Sequence, residues 1–402
     1  MLGYSHLAII LLAVILVALF SRRIEMSVIS IPMIFTAFGW IAGEGGLGYI
    51  PFEAERETIH TIAEITLVLV LFSDASRVDI QSLKKDAAIP ARMLIIAMPL
   101  TILFGTAAAY LASPNQPWAL ALLVAAILTP TDAALGQAVV SREDVPEKIR
   151  QGINVESGLN DGLALPVVII AALLAVEMAG KSAEMAPESI VTFAMLQVIL
   201  GPVAGIVIGF AFAKMLDFAI NRRLATTVFQ GIYFLGTAFL CFVAAELVGG
   251  NGLIAAFIGG LAFGNSLKSS RECISEFMEG EGQLLTISTF LIFGAVMVPV
   301  GLTHASWPTV LVAIAFLTII RIIPVWLALT GTGLKPFEKF FLGWFGPRGL
   351  ASILFALLIL ESYPVPGAEE MLACVVLTVM LSIVLHGVTA NPMSDRLSAL
   401  KK

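Results

Sequence analysis

Glu156, Ser157, Asn160 and Asp161 lie together in the stretch GINVESGLNDGLALPVV, Gly152 to Val168, at the head of a long apolar run. On a helix Glu156 and Asn160 are i and i+4 and share a face, as do Ser157 and Asp161. A second polar interruption, LTPTDAALG from Leu128 to Gly136, sets Thr129, Thr131 and Asp132 around Pro130. Proline lacks the amide hydrogen and disrupts the helical ladder, and an acid beside such a break reads as a discontinuous helix lining a cavity. The plainer alternative is a kink repaired by the threonine hydroxyls. A third stretch, FGPRGLAS from Phe345 to Ser352, repeats the proline break with a base, Arg348, in the corresponding place of the second half of the chain. Paired interruptions of this kind point to a transporter binding site.

The chemistry open to these groups is that of hard oxygen ligands. Carboxylates, hydroxyls and carbonyls freed by a broken helix suit alkali cations, not soft transition metals. Either Arg321 or Arg348 can neutralise Glu156. Such a pair leaves Asp161 and Asp132 as acids without a fixed counter-ion. A carboxylate of that kind in a low-dielectric cavity binds either a proton or a small cation near neutral pH. Competition between the two for one carboxylate is enough to make an exchanger. The empty, charged site is costly to carry through the bilayer, which suppresses leak.

These groups need a membrane scaffold. Of the 402 residues, 58% are hydrophobic and only 13% charged, about half the charged share of soluble domains. Lipid is the natural solvent, so the net charge of −6 says little about partners. Apolar runs punctuated by charged or Gly/Pro-rich breaks give about 13 spans, near 5–20, 26–42, 61–76, 89–112, 117–140, 150–176, 191–219, 228–248, 251–267, 283–303, 307–330, 339–361 and 369–391. The first apolar run has no basic residue before it and no small-residue cleavage site, so it reads as a span and not a signal peptide. With the N-terminus outside, all but four of the 23 Lys and Arg fall in cytoplasmic loops or helix ends. The exceptions are Arg56 and Lys181 outside and Arg321 and Arg348 within spans, while the outer loops carry Glu44, Glu53, Glu55, Glu57, Glu184, Glu188, Glu369 and Glu370. This agrees with the positive-inside rule, and places the C-terminus in the cytoplasm. Asp132 comes out ~12 Å and Asp161 ~16 Å from the cytoplasmic end on adjacent antiparallel helices, at 1.5 Å per residue. Glu64 and Glu246 also fall within spans, with Asp74 and Asp217 nearer cytoplasmic ends. About ten residues follow Pro392, and no soluble regulatory domain is expected.

Other classes fit less well. Cys241, Cys273 and Cys374 are far apart, without metal or disulfide spacing, and no cofactor is implied. GGNGLIAAFIGGLAFGN, Gly249 to Asn265, lacks a phosphate-loop lysine, and its glycines suit close helix packing. An intramembrane serine hydrolase built on Ser157 and His386 would need the two in hydrogen-bond reach and an oxyanion hole, so no enzyme is expected. A channel would draw a ring of groups from several subunits, whereas this chain has one asymmetric cluster. A sodium-coupled symporter would need a pocket for an organic substrate, and no further mid-membrane polar cluster is obvious. The acids Glu143, Asp144 and Glu147 form a cytoplasmic turn that is either solvated or pH-sensing. Nothing suggests nucleic acid.

TPTDAAL, NVESGLNDGLALP and GPRGLAS, with Arg321 between the last two, resemble the monovalent cation/proton antiporters of the CPA1 family, the NhaP-type sodium/proton exchangers, over essentially the whole chain. The resemblance implies an all-α polytopic fold of two inverted repeats with discontinuous crossing helices. It implies a core bundle (about 89–178 and 307–391), a dimerisation bundle (about 5–76 and 228–303), a connecting helix (about 191–219) and a homodimer. By the same resemblance Asp161 is the ion- and proton-binding aspartate, Asn160 marks the electroneutral branch, and Asp132, Thr131 and Ser157 complete the Na⁺ ligands. Glu156 is the structural glutamate paired with Arg321 or Arg348, and Asp74 lines a cytoplasmic funnel. The implied activity is exchange of Na⁺ or Li⁺ for H⁺, one for one, by alternating access, with K⁺/H⁺ exchange on the same scaffold as the alternative. The compact chain suits a prokaryotic inner membrane.

Overall fold

The computed structural model of the chain describes residues 4–25, 27–49, 56–80, 88–132, 135, 136, 139, 142, 144–180, 190–269 and 272–399. Of the charges used above for loop topology and pH sensing, Glu53, Glu55, Lys84, Lys85, Glu143, Lys181, Glu184, Glu188, Arg271, Lys401 and Lys402 lie outside the described residues. Among the described residues the regular structure is entirely helical. The helices are α1 (Tyr4–Glu25), α2 (Ile31–Ala42), α3 (Arg56–Arg77), α4 (Ala88–Ala112), α5 (Trp118–Leu128), α6 (Glu147–Met178) and α7 (Ile190–Asn221). They continue with α8 (Thr227–Leu247), α9 (Gly252–Ser266), α10 (Glu272–Ile292, extended through a π turn by Val298–Thr303) and α11 (Trp307–Ala328). The last three are α12 (Pro336–Trp344), α13 (Leu350–Ser362) and α14 (Ala368–Ala399). By length and composition, seven of the described helices can cross a membrane, and four shorter apolar helices, α2, α5, α9 and α13, accompany them.

Local chemistry explains the helix ends and irregularities. Ser30, Asn251 and Ser306 cap α2, α9 and α11 by accepting the amides of Met33, Ile254 and Thr309, which satisfies otherwise orphaned donors. The π turns Met93–Ala97 and Phe293–Met297 each run up to two residues before a proline, Pro99 and Pro299. A proline ring clashes with the carbonyl four residues earlier, and widening the helix at that turn relieves the clash. The long span predicted over 307–330 is interrupted at Thr318 (φ −121°, ψ −99°), just before Arg321. Pro324, six residues on, was a hint of this break that the hydropathy pattern hid.

The spans pack closely where glycine permits. A Cβ on Gly205 of α7 would lie 2.4 Å from the Ala255 carbonyl, and one on Gly209 2.2 Å from that of Gly259, so α7 and α9 meet backbone to backbone. This is the role expected of the glycine-rich segment Gly249–Asn265. Gly260 and Gly264 of α9 meet Phe72 and Ser76 of α3 equally closely, and Phe234 packs edge to face on both Phe72 and Phe263 beside that contact. Outward faces are greasy: Leu12, Ile15 and Leu19 of α1 and Ile199, Val203, Val207 and Phe210 of α7 are exposed. So large an exposed apolar area has no place in water. The chain is a multi-pass membrane protein.

Candidate functional site

Two interrupted segments meet in the middle of the bundle. The first is the backbone from Thr129 to Asp132 after α5, and the second is Phe345–Gly349 between α12 and α13. Each interruption exposes helix-end carbonyls or amides that have no partner in their own helix, and each segment satisfies the other's. The Arg348 side chain donates from Nε to the Leu128 carbonyl at the C-terminus of α5 and from Nη1 to the Gly346 carbonyl. Ser352 donates to the Ile127 carbonyl at 2.7 Å. In return, the Asp132 amide donates to the Pro347 carbonyl at 2.8 Å. The Asp132 carboxylate accepts from the Leu350 amide, the first of α13, at 2.7 Å, and from the Leu135 amide at 3.4 Å. A cation thus sits on the negative end of one half-helix and an anion on the positive end of the other, the favourable sign in both cases. The approach requires glycine at 349, where a Cβ would lie 2.1 Å from Asp132 Oδ2.

Two expectations change here. Asp132 is not an acid without a fixed counter-ion, because the N-terminus of α13 partners its carboxylate. Arg348 is not the partner of Glu156. It is fully buried, and its guanidinium is committed to carbonyls left bare by the broken helices. The glutamate's partner is Arg321, which donates from Nη1 to Oε1 at 2.5 Å and from Nη2 to Oε2 at 2.7 Å, both residues being 1% exposed. Helix α6 carries Glu156 to α11 on one side and its remaining polar groups to the α5 break.

At that break the Asn160 amide donates to Thr131 Oγ1 at 2.7 Å, and Thr131 Oγ1 lies 3.0 Å from Ser157 Oγ. Thr131, Ser157 and Asn160 therefore form one hydrogen-bonded cluster beside Asp161. Asn160 Oδ1 and Asp161 Oδ1 are buried and accept nothing from the described residues, and Asp161 Oδ1 is the only such carboxylate oxygen among them. Asp161 lies within electrostatic reach of both Asp132 and Asp74, so the structure brings the α3 acid to the cluster. The Asp74 carbonyl packs against Gly158. One residue past Asp161, Gly162 takes the ring of Phe257 against its backbone, where a Cβ would lie 2.1 Å from the ring. The aspartate therefore sits at the contact between α6 and α9.

Ser157 and His386 do not form a catalytic pair: Ser157 pairs with Thr131, and His386 is held by Ser382 and the Trp344 carbonyl. Among the described residues no group of three His, Cys, Asp or Glu side chains could hold a metal ion. The sequence reading missed the backbone partners, Leu128 and Pro347 carbonyls and the Leu350 amide, and it missed Ser382. The spacing of Ser382 and His386, i and i+4 on one helix, was the available signal for the last.

A lipid-embedded helical bundle whose two broken helices cross beside a buried acid is the architecture of a secondary ion transporter. The chain belongs to the sodium/hydrogen exchanger transmembrane family, whose model matches residues 8–396. Family and fold are those of transporters, not enzymes. The chain is 27% identical over 368 residues to a K⁺/H⁺ antiporter, NhaP2, of Shewanella sp. strain ANA-3, covering 89% of this chain and 61% of the relative. It is 26% identical over 289 residues to the Na⁺/H⁺ antiporter NhaG of Bacillus atrophaeus, covering 70% of this chain and 53% of that protein. It thus spans about three fifths of the length of the NhaP2 relatives it matches. The fold is that of the sodium proton antiporter MjNhaP1 from Methanocaldococcus jannaschii at pH 8, with a TM-score of 0.78 at 21% identity over 98% of this chain and 97% of the other.

Proposed function

We propose that this chain exchanges a monovalent cation for H⁺ across the membrane, with Na⁺ or Li⁺ as the cation, by competition of cation and proton for Asp161. The observation that carries the reading is the buried Asp161 Oδ1, which has no donor among the described residues, beside the Thr131–Ser157–Asn160 cluster. Glu156 and Arg321 cancel, and Asp132 and Arg348 serve helix ends, which leaves Asp161, with Asp74 of α3 nearby, as the carboxylate for cargo. Asn160 offers a ligand oxygen but no second charge beside Asp161, which supports one-for-one, electroneutral exchange. Thr131 and Ser157 supply hydroxyl ligands, Asp132 holds the break that positions them, and Asp74 lies on the cytoplasmic approach. The core bundle (89–178 and 307–391) moves against a dimerisation bundle (5–76 and 228–303) in a homodimer. The protein lies in the plasma membrane of a prokaryote, N-terminus outside and C-terminus in the cytoplasm.

K⁺/H⁺ exchange is the second reading, favoured by the names of the Shewanella relative and of a 26% identical Alkalimonas amylolytica NhaP, also a K⁺/H⁺ antiporter. The test is proton flux in reconstituted vesicles under an imposed pH gradient, with Na⁺, Li⁺ or K⁺ added in turn and the potential clamped or free. Saturable collapse by one cation, insensitive to the clamp and absent in Asp161→Asn, identifies the cargo and the site. Flux without cation dependence, or a working Asp161→Asn protein, overturns the reading.

A further inference from the structure

Helix α14 carries two buried polar residues that the exchange reading leaves without a role. Ser382 is 0% and His386 2% exposed; Thr378 and Ser394 are buried polar residues of the same helix, and Thr378 bonds its own helix at the Cys374 carbonyl. Ser382 and His386 both reach the interruption between α12 and α13. The Arg348 amide donates to Ser382 Oγ at 2.6 Å. Ser382 Oγ lies 3.1 Å from His386 Nδ1, and His386 Nε2 lies 2.8 Å from the Trp344 carbonyl at the end of α12. The Trp344 carbonyl can only accept, so His386 Nε2 carries a proton and donates to it. Nδ1 lies against Ser382 twice, 3.1 Å from its hydroxyl and 2.9 Å from its carbonyl, so the ring is held by that residue on one side and by Trp344 on the other. One turn further along, Thr389 Oγ1 accepts from the Trp344 indole at 2.9 Å. Helix α14 thus grips the break from both sides: at Trp344, where α12 stops, and at Arg348, just before α13 starts.

We propose that Ser382 and His386 are positioning residues for the ion site, fixing the α12–α13 break and, through it, the register of Thr131 against Asp161. The path is short. The Arg348 side chain holds the Leu128 carbonyl, and its neighbour Pro347 accepts the Asp132 amide. The Leu350 amide holds the Asp132 carboxylate. Thr131, between those anchor points, receives the Asn160 amide next to Asp161. A shift of the 345–349 backbone therefore moves a ligand hydroxyl. Ligand geometry controls cation affinity, and in the exchange reading α5, the α12–α13 break and α14 all belong to the one bundle that moves as a unit, so the contact stays within it.

The inference rests on the exchange reading for its transport readout, and on hydrogen exchange for a readout that does not. In vesicles, Ser382→Ala and His386→Leu are expected to raise the apparent KM for the cation about tenfold, the scale of one buried hydrogen bond, with the maximal rate within about twofold. His386→Gln restores a donor at the Nε2 position and is expected to recover most of that KM. In purified wild-type and Ser382→Ala protein, amide exchange over 345–350 is expected to quicken about tenfold, with 118–128 unchanged. An unaltered KM in folded Ser382→Ala, or a His386→Gln no better than His386→Leu, overturns the proposal. If His386→Leu fails to fold, the Ser382→Ala comparison decides alone. A wild type that moves no protons with any cation refutes the exchange reading instead, and the amide-exchange result still decides the brace.

Discussion

Glu156→Gln tests the division of labour among the buried charges most directly. Gln keeps the shape and one acceptor oxygen, but it removes the negative charge facing the Arg321 guanidinium. That guanidinium, at 1% exposure, is then a buried charge without its carboxylate. Breaking a buried pair by removing one partner costs about 3–5 kcal/mol. That is a large share of the ~5–15 kcal/mol that usually separates folded from unfolded protein. The double variant Glu156→Gln/Arg321→Met removes the orphaned charge. It is expected to lie closer to wild type than Glu156→Gln alone, because replacing both partners of a buried pair is often neutral. Denaturant unfolding of the purified protein, run as a double-mutant cycle, reads the coupling directly. Vesicle flux per folded molecule then tells whether the residual protein still exchanges. Should Glu156→Gln lose under about 1 kcal/mol and yet transport nothing, the pair belongs to the ion path and the bracing assignment is wrong.

Four further outcomes follow from the geometry. Gly349→Ala places a methyl 2.1 Å from Asp132 Oδ2, so it is expected to cost about 1–3 kcal/mol and to weaken cation binding; a neutral substitution would mean that the Asp132–Leu350 clamp is looser than described. Asp161→Asn is expected to fold with wild-type stability and to be silent in flux, since Asp161 Oδ1 has no partner to lose among the described residues. Asn160→Asp adds a second charge at the cluster and is expected to make transport respond to membrane potential under a valinomycin clamp; unchanged neutrality counts against the one-charge scheme. In the exposed turn before α6, Arg142 and Ser398 hold the Asp144 carboxyl well below the usual carboxylate range. A depressed folded-state value contributes stability above the ordinary carboxylate range and loses it only as pH falls through the lower value, in strong acid. Asp144→Asn is therefore expected to leave the pH profile of exchange unchanged between about pH 6 and about pH 9, and a shifted profile would restore this turn as a pH sensor.

What the sequence made legible, and what it hid, divides along a physical line. Charges in apolar spans stand out because lipid makes them costly, so Asp132, Glu156, Asp161, Arg321 and Arg348 could all be picked from composition alone. Prolines beside polar residues disclosed both breaks, because a missing amide proton is a local property. The roles of the charges were a different matter, since partner choice is tertiary. Glu156 and Arg321 are 165 positions apart, and the Arg348 contact to Leu128 spans 220. Nothing in either neighbourhood ranks Arg321 above Arg348 as the glutamate's partner. The deciding fact is that a broken helix generates its own partial charges. The bare end of α5 claims one arginine and the start of α13 claims one aspartate, which leaves Arg321 for Glu156. Pairing Glu156 with one arginine therefore left two acids and the other arginine unassigned, while counting helix ends as charges places Asp132 and Arg348 and leaves Asp161. A single bound cation or a single proton can cancel the charge of that carboxylate, which is the ground on which one-for-one exchange is proposed.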